Sequence, residues 1–558
     1  MKNLIAAVLL FAPLLSCAQS VVRGPYLQTP TPNSVIVKWR TDIATDSVVG
    51  YAIVDGTPQS VTNGAAVTDH EVVLNGLSAD TLYNYNIGTT TQVLAGGNIH
   101  INGDGEHFFT TPPSTGTDKA TRVWVIGDSG TADAEWVGPA YANASAVRDA
   151  YKNFTGVRGT DVWLMLGDNA YGDGTDIQYQ AAVFEMYPQL LRQTPLWSAL
   201  GQHDTYDMIS NPPGAYPQIF SFPTVGESGG VGSGTENYYS FDYGNIHFIC
   251  LDSPILANRV PDSNMWIWLE EDLNANTQDW TVAFFSFPPY TSYGDWNMRN
   301  NALPLLESYG VDLVLSGHKH SYARSFLLNG HYGLAESLTH EMILDGGDGN
   351  AYGDGAYIKP GPAGTAHEGT VYVVVGTSGG LTNNTLPAGP AMYADMNIAG
   401  SMVLDVSGNQ LDAVFIDSAG VVRDEFTIIK SPPTVVDIDV EPWSEANLVR
   451  PASDNFISVA ILSMSIAAGD GIDFDTSQVD LTTLKFGVGE APMLTSPWFL
   501  DVDNDSETDV IAGFRAQDTG ILCGDTEVSL AGETITGDAF VGMSTIETTD
   551  CESQSCHP

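Results

Sequence analysis

Residues 161–171 read DVWLMLGDNAY: an apolar run stops at a glycine, and a carboxylate, an amide and a phenol follow at once. The pattern recurs in RVWVIGDSG (122–130), PLWSALGQHD (195–204) and VDLVLSGHKH (311–320). Short apolar runs bounded by turn residues read as buried strands. In an open parallel sheet, the carboxyl ends of such strands converge on one crevice, where ligands bind. The glycine lets the chain turn sharply and approach that crevice closely. One cluster of this kind is an ordinary turn. Four of them, bringing Asp128, Asp168, Tyr171, His203, His318 and His320 to strand ends, describe a reactive site.

Outward from these runs, IHFICLD, WTVAFFSF and VYVVVG add further strands, and amphipathic stretches such as YQAAVFEMYPQLLRQ, MWIWLEEDL and ALPLLESYG lie between them. Residues 120–430 therefore predict an α/β domain with buried, largely parallel strands. Residues 21–112 alternate apolar and polar side chains between turn signals, which predicts an antiparallel β-sandwich closed by the linker TTPPSTGTDKA. After KSPPT, residues 431–558 are rich in Asp, Thr, Ser and Gly with short β-like runs. The fold class is multidomain: an N-terminal β-sandwich, a central α/β domain and a C-terminal β-rich domain. In the last of these, DVDNDSETD spaces Asp501, Asp503, Asp505 and Asp509 as oxygen ligands for Ca²⁺ would be spaced. Ser506 stands where an EF-hand-like loop has glycine, so the segment reads either as a calcium loop or as a plain acidic turn.

Acidic residues outnumber basic ones 67 to 20, and the net charge of −47 argues against nucleic acid or an anionic membrane as partner. Any anion site must therefore concentrate positive charge locally. The opening MKNLIAAVLLFAPLLSCAQS (1–20) predicts a secretory signal cleaved after Ala18. Its LLSC also resembles a lipoprotein signal. The expected location is secreted or periplasmic, or lipid-anchored through Cys17. No later segment has the length and apolarity of a transmembrane helix. Cys250 predicts a buried thiol, and the cysteines near the end predict one local disulfide, Cys523–Cys551. The oligomeric state is left open.

Carboxylate, imidazole and phenolate together are ligands for Fe, Zn or Mn, and a carboxylate can bridge two ions. Two cations about 3.5–4 Å apart clamp a phosphate and activate water, and they supply the positive charge the acidic surface lacks. With these motifs in this order, residues 21–430 resemble a purple acid phosphatase, in which a fibronectin type III-like domain precedes a metallophosphoesterase domain. The family order is D-x-G, G-D-x-x-Y, G-N-H-[DE], V-x-x-H and G-H-x-H; Asp128, Asp168 with Tyr171, and His318 with His320 stand at matching places. SYAR, YSFDYGNIHFICLDS, the Trp39 strand and LSADTLYNYNIG also resemble that family's two domains. The resemblance implies a central pair of sheets flanked by helices, and a small phosphoester as substrate. It also implies Fe³⁺ with a second divalent ion (Zn, Mn or Fe). Asp128, Tyr171 and His320 would hold the first ion, Asp168 would bridge, and His318 would bind the second. His203 would protonate the leaving oxygen, a task suited to a group that titrates near neutrality.

Two positions depart from the pattern, both at the second ion. Gln202 replaces the family's Asn, which moves the amide oxygen one methylene further out. Ser286 stands where V-x-x-H has its histidine. A hydroxyl in place of imidazole makes the position harder and weaker, tilting it toward Mn²⁺, Mg²⁺ or Ca²⁺. Asp295 in the nearby SYGDWNMR is a substitute ligand by sequence proximity alone. Three readings stay open: a phosphomonoesterase with an atypical second ion, a catalytically degenerate binding or scaffold protein on the same fold, and a phosphodiesterase.

Overall fold

The computed structural model describes residues 19–130, 143–290, 296–361, 363–381, 389–430, 434–444, 446–451, 453–466, 470–535 and 538–550. The signal segment with Cys17, Asp295, Cys551, Cys556 and most of the linker after Lys430 lie outside them.

The N-terminal region is all β. The sandwich expected there is one hydrogen-bonded network of six strands rather than two separate sheets. Its organiser is the 20-residue strand Ser34–Ile53, whose register shifts between Arg40 and Ser47. Before the shift it pairs with Val21–Thr31, and after it with Leu82–Gly88. Bulges of this kind bend a strand and increase its twist. The sheet thereby folds over a core of Val35, Val37, Trp39, Val49, Leu74 and Tyr85.

Two seven-stranded sheets form the centre. One runs Tyr357–Lys359, Val422–Lys430, Gln410–Asp417, Gly400–Ser407, Thr121–Ile126, Val162–Met165, Leu196–Ser198. The other runs Tyr239–Tyr243, Ile246–Cys250, Trp280–Phe285, Leu313–Ser316, Val371–Val375, Tyr322–Ser325, Met392–Met396. Each expected strand is present, but "largely parallel" holds only in part. Ile246–Cys250 to Val371–Val375 are parallel in the middle of one sheet with antiparallel strands on both sides; in the other, Thr121–Ile126 to Leu196–Ser198 are parallel at one edge and Tyr357–Lys359 with Val422–Lys430 at the other, with antiparallel pairs between them. Some antiparallel pairs are hairpins closed by short turns, as Tyr239–Tyr243 with Ile246–Cys250 and Gly400–Ser407 with Gln410–Asp417, while Thr121–Ile126 with Gly400–Ser407 joins distant segments.

Side-chain alternation sets the layers. Val282, Phe284, Leu313 and Leu315 enter the core between the sheets with Val125 and Leu164, while Trp124 and Trp163 stack on the opposite face of their sheet, against Tyr151 of the helix Ala144–Thr155. In the other sheet Ala283, Phe285 and Val314 face away from the shared core, onto the helices Asn264–Ala275 and Leu303–Ser308. Burial on both faces is why these strands read as unbroken apolar runs. Each fully buried side chain of this type stabilises by about 1.5–3 kcal/mol. Across the sheets, the buried Arg324 makes a bidentate pair with Asp424, at 2.7 and 2.9 Å.

The N-terminal sheet is docked by Arg23, which donates to Asp176 Oδ1 at 2.9 Å and to Gln180 Oε1 at 2.8 Å. Arg40 reaches the other oxygen of Asp176, and Tyr26 donates to the Ile219 carbonyl. A separate eight-stranded sheet makes up residues 434–550 with its own core of Val459, Phe486, Phe514 and Phe540. Cys250 is a buried free thiol and Cys523 is disulfide-bonded. Among the described residues, no helix is long and apolar enough to cross a membrane.

His247 lies buried between Asp242 (2.7 Å) and Asp272 (2.9 Å). Burial depresses its pKa, but the two carboxylates outweigh that and raise it to about 9. A pKa raised on folding stabilises fully below the unfolded value of about 6.5 and is lost as pH rises through about 9. Thermal melts should therefore show a loss on the order of 3 kcal/mol between pH 6 and pH 10, and His247→Gln should flatten that step.

Candidate metal centre

The strands Thr121–Ile126, Val162–Met165 and Leu196–Ser198 end side by side in one sheet, and Trp280–Phe285 and Leu313–Ser316 end side by side in the other. At the first residue with a functional side chain the backbone turns left-handed: φ is 55° at Asp128, 52° at Asp168 and 62° at His318. That conformation costs a residue with a Cβ roughly 1–2 kcal/mol, so packing must hold it. The glycines allow the packing. A Cβ on Gly201 would lie 1.9 Å from Asp168 N, and one on Gly317 would lie 2.8 Å from Asp128 Oδ2.

Tyr171 joins the set. Its hydroxyl is 3.0 Å from Asp128 Oδ1, 3.3 Å from Asp168 Oδ2 and 3.0 Å from His320 Nε2. His320 Nε2 lies 3.2 Å from Asp128 Oδ1, and His318 Nδ1 lies 3.7 Å from Asp168 Oδ2. Asp128 Oδ2 is buried and has no hydrogen-bond partner among the described residues. Burial pushes the Asp128 carboxyl up, with His320 opposing. Burial also acts upward on Asp168, but His318 and His203 outweigh it and hold the group below the usual range. Burial, reinforced by Asp128 and Asp168, drives the Tyr171 phenol well above its ordinary value. Two buried carboxylates beside a phenol, one oxygen unsatisfied, form a donor set that a cation would neutralise. The first-ion residues Asp128, Asp168, Tyr171 and His320 fit a hard trivalent or divalent ion.

The LGQHD segment caps a helix. Gly201 precedes Gln202–Ser210, and Asp204 reaches back to accept Gly201 N–H at 2.9 Å. Asp204 also accepts from Asn169 N, Asn169 Nδ2 and Tyr179 Oη. Burial, then the charge of Asp168, raises its pKa to about 7. Its job is to lock the GDNAY turn to the GQHD turn. His203 donates its backbone N–H to Asp168 Oδ1 at 2.8 Å, and its Nδ1–H to the Gly172 carbonyl at 2.6 Å. Nε2 is thus left for a substrate, with the ring held between Tyr171 and Tyr206.

The two departures behave differently. Ser286 is at the site: its carbonyl accepts Gly317 N–H, and a Cβ on Gly167 would meet its Cβ at 2.9 Å. Its Oγ is buried with no hydrogen-bond partner among the described residues. Gln202 turns its amide nitrogen to the Tyr206 hydroxyl one helical turn on. That bond leaves the Gln202 amide oxygen free, and His318 Nδ1, buried without a hydrogen-bond partner among the described residues, lies toward Asp168, so the departure from a full ligand set is the Ser286 hydroxyl.

Sequence reasoning missed Asn169, Tyr206 and Phe287. Asn169 sits inside GDNAY, and Tyr206 is four residues after Gln202 on one helix face, a spacing that could have been read. Phe287, whose ring lies 4.2 Å from that of His318, had no such signal. In the C-terminal sheet, Asp501, Asp503 and Asp509 bring carboxylate oxygens within 4.8 Å of one another, and Asp505 is not in that group.

Residues 121–322 match the calcineurin-like phosphoesterase family. Purple acid phosphatase 15 of Arabidopsis thaliana is 29% identical over 287 residues, covering 46% of this chain and 49% of that protein. The central domain is a purple acid phosphatase-like metallophosphoesterase. Purple acid phosphatase 13 of the same plant is 27% identical over 325 residues, covering 50% of this chain and 55% of that one, so the chain spans about half the length of these relatives. The fold is shared with the yellow lupin (Lupinus luteus) purple acid phosphatase PPD1, at a TM-score of 0.57 and 17% identity over 73% of this chain and 75% of that one. It is shared also with PhoD, at 0.51 and 14% over 75% and 92%.

In this metallophosphoesterase domain the close approach of Gly201 to Asp168 yields a test. Gly201→Ala must displace the Asp168 backbone, so bound metal measured by plasma mass spectrometry should fall to a small fraction of the wild-type content. Unchanged content would show that the turn accommodates the methyl.

Proposed function

We propose that this chain is an exported, metal-dependent hydrolase of small phosphomonoesters, an acid phosphatase whose second ion position is atypical. The observation that carries this reading is the Tyr171 hydroxyl standing within 3.3 Å of Asp128, Asp168 and His320, with His203 tied to Asp168 beside it. Asp128, Tyr171 and His320 would hold Fe³⁺, with Asp168 at the boundary to the second position. A divalent ion there (Zn, Mn or Fe, or a weakly held Mg or Ca) has Gln202 and His318 as its candidate ligands. The bound metal supplies Lewis-acid polarisation of the phosphate and an activated water. The rest is the work of this chain's own groups. His203, fixed at Nδ1 by the Gly172 carbonyl, presents Nε2 to the leaving oxygen and gives it a proton. Tyr171 supports the His203 ring at 4.3 Å and keeps it from rotating away.

Purified protein loaded with Fe and Zn or Mn should release phosphate from an aryl phosphate. His203→Gln should lower kcat by about 10²- to 10⁴-fold at unchanged metal content. Tyr171→Phe should remove the visible absorption that an Fe³⁺–phenolate pair produces. Absence of turnover with every metal, while metal is bound, would favour the catalytically degenerate reading, to which the altered Ser286 and Gln202 lend support. A panel of monoesters and diesters separates the phosphatase from a phosphodiesterase.

The C-terminal loop is proposed to take Ca²⁺ on Asp501, Asp503 and Asp509. Millimolar calcium should raise the melting temperature of the wild type, and Asp501→Asn with Asp503→Asn should abolish the increase.

A further inference from the structure

A sheet packed on a core with one face carries polar side chains on the other, and the C-terminal sheet breaks that rule at one place. Val440, Ile457, Val459, Ala512 and Phe514 point into the core. By alternation along the paired strands Thr434–Val440, Phe456–Ile461 and Asp509–Arg515, Phe456, Ile511 and Arg515 point outward. The edge strand Trp498–Leu500 pairs Trp498 with Ile511 and Leu500 with Asp509, which puts both of its side chains on that outer face. Trp443 reaches the same place from the turn after Thr434–Val440, its ring 6.2 Å from that of Trp498 with the planes at 50°. Trp443 is 65% exposed, Trp498 57%, Leu500 49% and Phe456 48%. Two indoles left in water forgo the burial that ordinarily draws Trp inward. Clustered on one face with further apolar side chains, they mark an interaction site.

Both rings are carried by fixed backbone. The chain leaves Thr434–Val440 through Glu441, which is left-handed at φ 52°. Its N–H donates to the Ser458 carbonyl at 2.7 Å and its Oε1 accepts the Ser458 N–H at 3.0 Å, while Ser444 N–H closes the turn onto the Glu441 carbonyl at 2.7 Å. The segment before Trp498 is seated on the sheet in the same way. Leu494 N–H donates to the Gly513 carbonyl at 3.0 Å, and a Cβ on Gly513 would lie 2.5 Å from Thr495 Oγ1. Rings held in this manner lose little freedom when a ligand packs on them.

The chemistry of this face selects its occupant. Asp437 and Asp439 alternate with the core residues Val436, Ile438 and Val440, so they point outward, and Glu441 follows them. On a chain of net charge −47 these carboxylates repel an anionic bilayer or any other polyanion. They also accept hydrogen bonds from hydroxyl groups. Two canted rings on an open face enclose neither a small molecule nor a cation, but they offer successive flat platforms to an extended chain. A chain of pyranose rings meets both requirements. Its apolar C–H faces pack on the electron-rich faces of the indoles, and its hydroxyls donate to the carboxylates beside them. We propose that the outer face of the C-terminal sheet, centred on Trp443 and Trp498, binds an uncharged polysaccharide. This binding function is separate from the metal centre and holds whether or not that centre hydrolyses phosphoesters.

Full-length protein is mixed with insoluble cellulose, chitin and xylan, and the bound fraction is measured against polysaccharide concentration. Retention on at least one of them is expected, and it should survive about 0.5 M sodium chloride, because ring stacking is not screened as ion pairs are. Trp443→Ala and Trp498→Ala should each raise the dissociation constant about 10-fold or more, and the double variant should abolish retention. Trp498→Tyr, which keeps a flat ring, should retain most of the affinity. Tyr352→Ala, which removes an exposed ring elsewhere on the chain, should change nothing. Melting temperature and far-UV circular dichroism check that every variant is folded. Absence of retention on all three polysaccharides would overturn the proposal, as would retention that salt removes or that the two Trp variants leave intact. A dimer in analytical ultracentrifugation that Trp498→Ala dissociates would overturn it in favour of a second copy of this chain. Capture on phosphatidylcholine vesicles that the double variant loses would overturn it in favour of a lipid surface.

Discussion

Everything in the central domain answers to one electrostatic problem: Asp128 and Asp168, two carboxylates buried beside the same phenol. Removing a single charge from water costs several kcal/mol even after relaxation. The fold meets that cost partly with hydrogen bonds, the His203 N–H to Asp168 and the His320 imidazole to Asp128. It leaves Asp128 Oδ2 without one among the described residues. In the proposed reading a cation meets the remainder, and it would supply the positive charge that a chain of net charge −47 otherwise lacks for an anion.

Holding two such groups together requires strain, and the strain is distributed. Left-handed turns at Asp128, Asp168 and His318 are each costly. They persist because the strand ends pack backbone to backbone through glycine, and because Asp204 clamps the neighbouring turn with bonds to Gly201, Asn169 and Tyr179. Asp204 directly follows His203, yet its carboxylate faces the scaffold while the His203 ring lies against Tyr171. The N-terminal sheet extends that support, since Arg23 and Arg40 fix Asp176 and the segment that leads to Tyr179.

Much of this was legible in the sequence because buried strands and glycine turns have local causes. The seven apolar runs became strands, and the four polar clusters met at their ends, because burial on two faces favours apolar side chains along most of each strand. What was not legible depended on long-range packing. The antiparallel pairs of both sheets, some hairpins and some between segments as distant as Thr121–Ile126 and Gly400–Ser407, leave no trace in the hydrophobic pattern of the strands themselves. The single bent sheet of the N-terminal region follows from register shifts between Arg40 and Ser47, where the side-chain types give no warning. Among the four loop aspartates, alternation in sequence grouped all of them, while the turn geometry separates Asp505 from the rest.

The sequence by itself determined which residues could do chemistry and that two of the expected ones were absent, since residue type settles whether a donor is carboxylate, imidazole, amide or hydroxyl. Only the tertiary structure decided what those absences mean. Ser286 and Gln202 could each have been compensated by a shifted loop, as far as composition shows. In the folded chain Phe287 packs on His318 and Tyr206 engages Gln202, contacts between groups 31 and 4 positions apart. Orientation of a side chain is a property of its neighbours in space, and those neighbours are brought in here by the paired strands Trp280–Phe285 and Leu313–Ser316 and by the helix Gln202–Ser210.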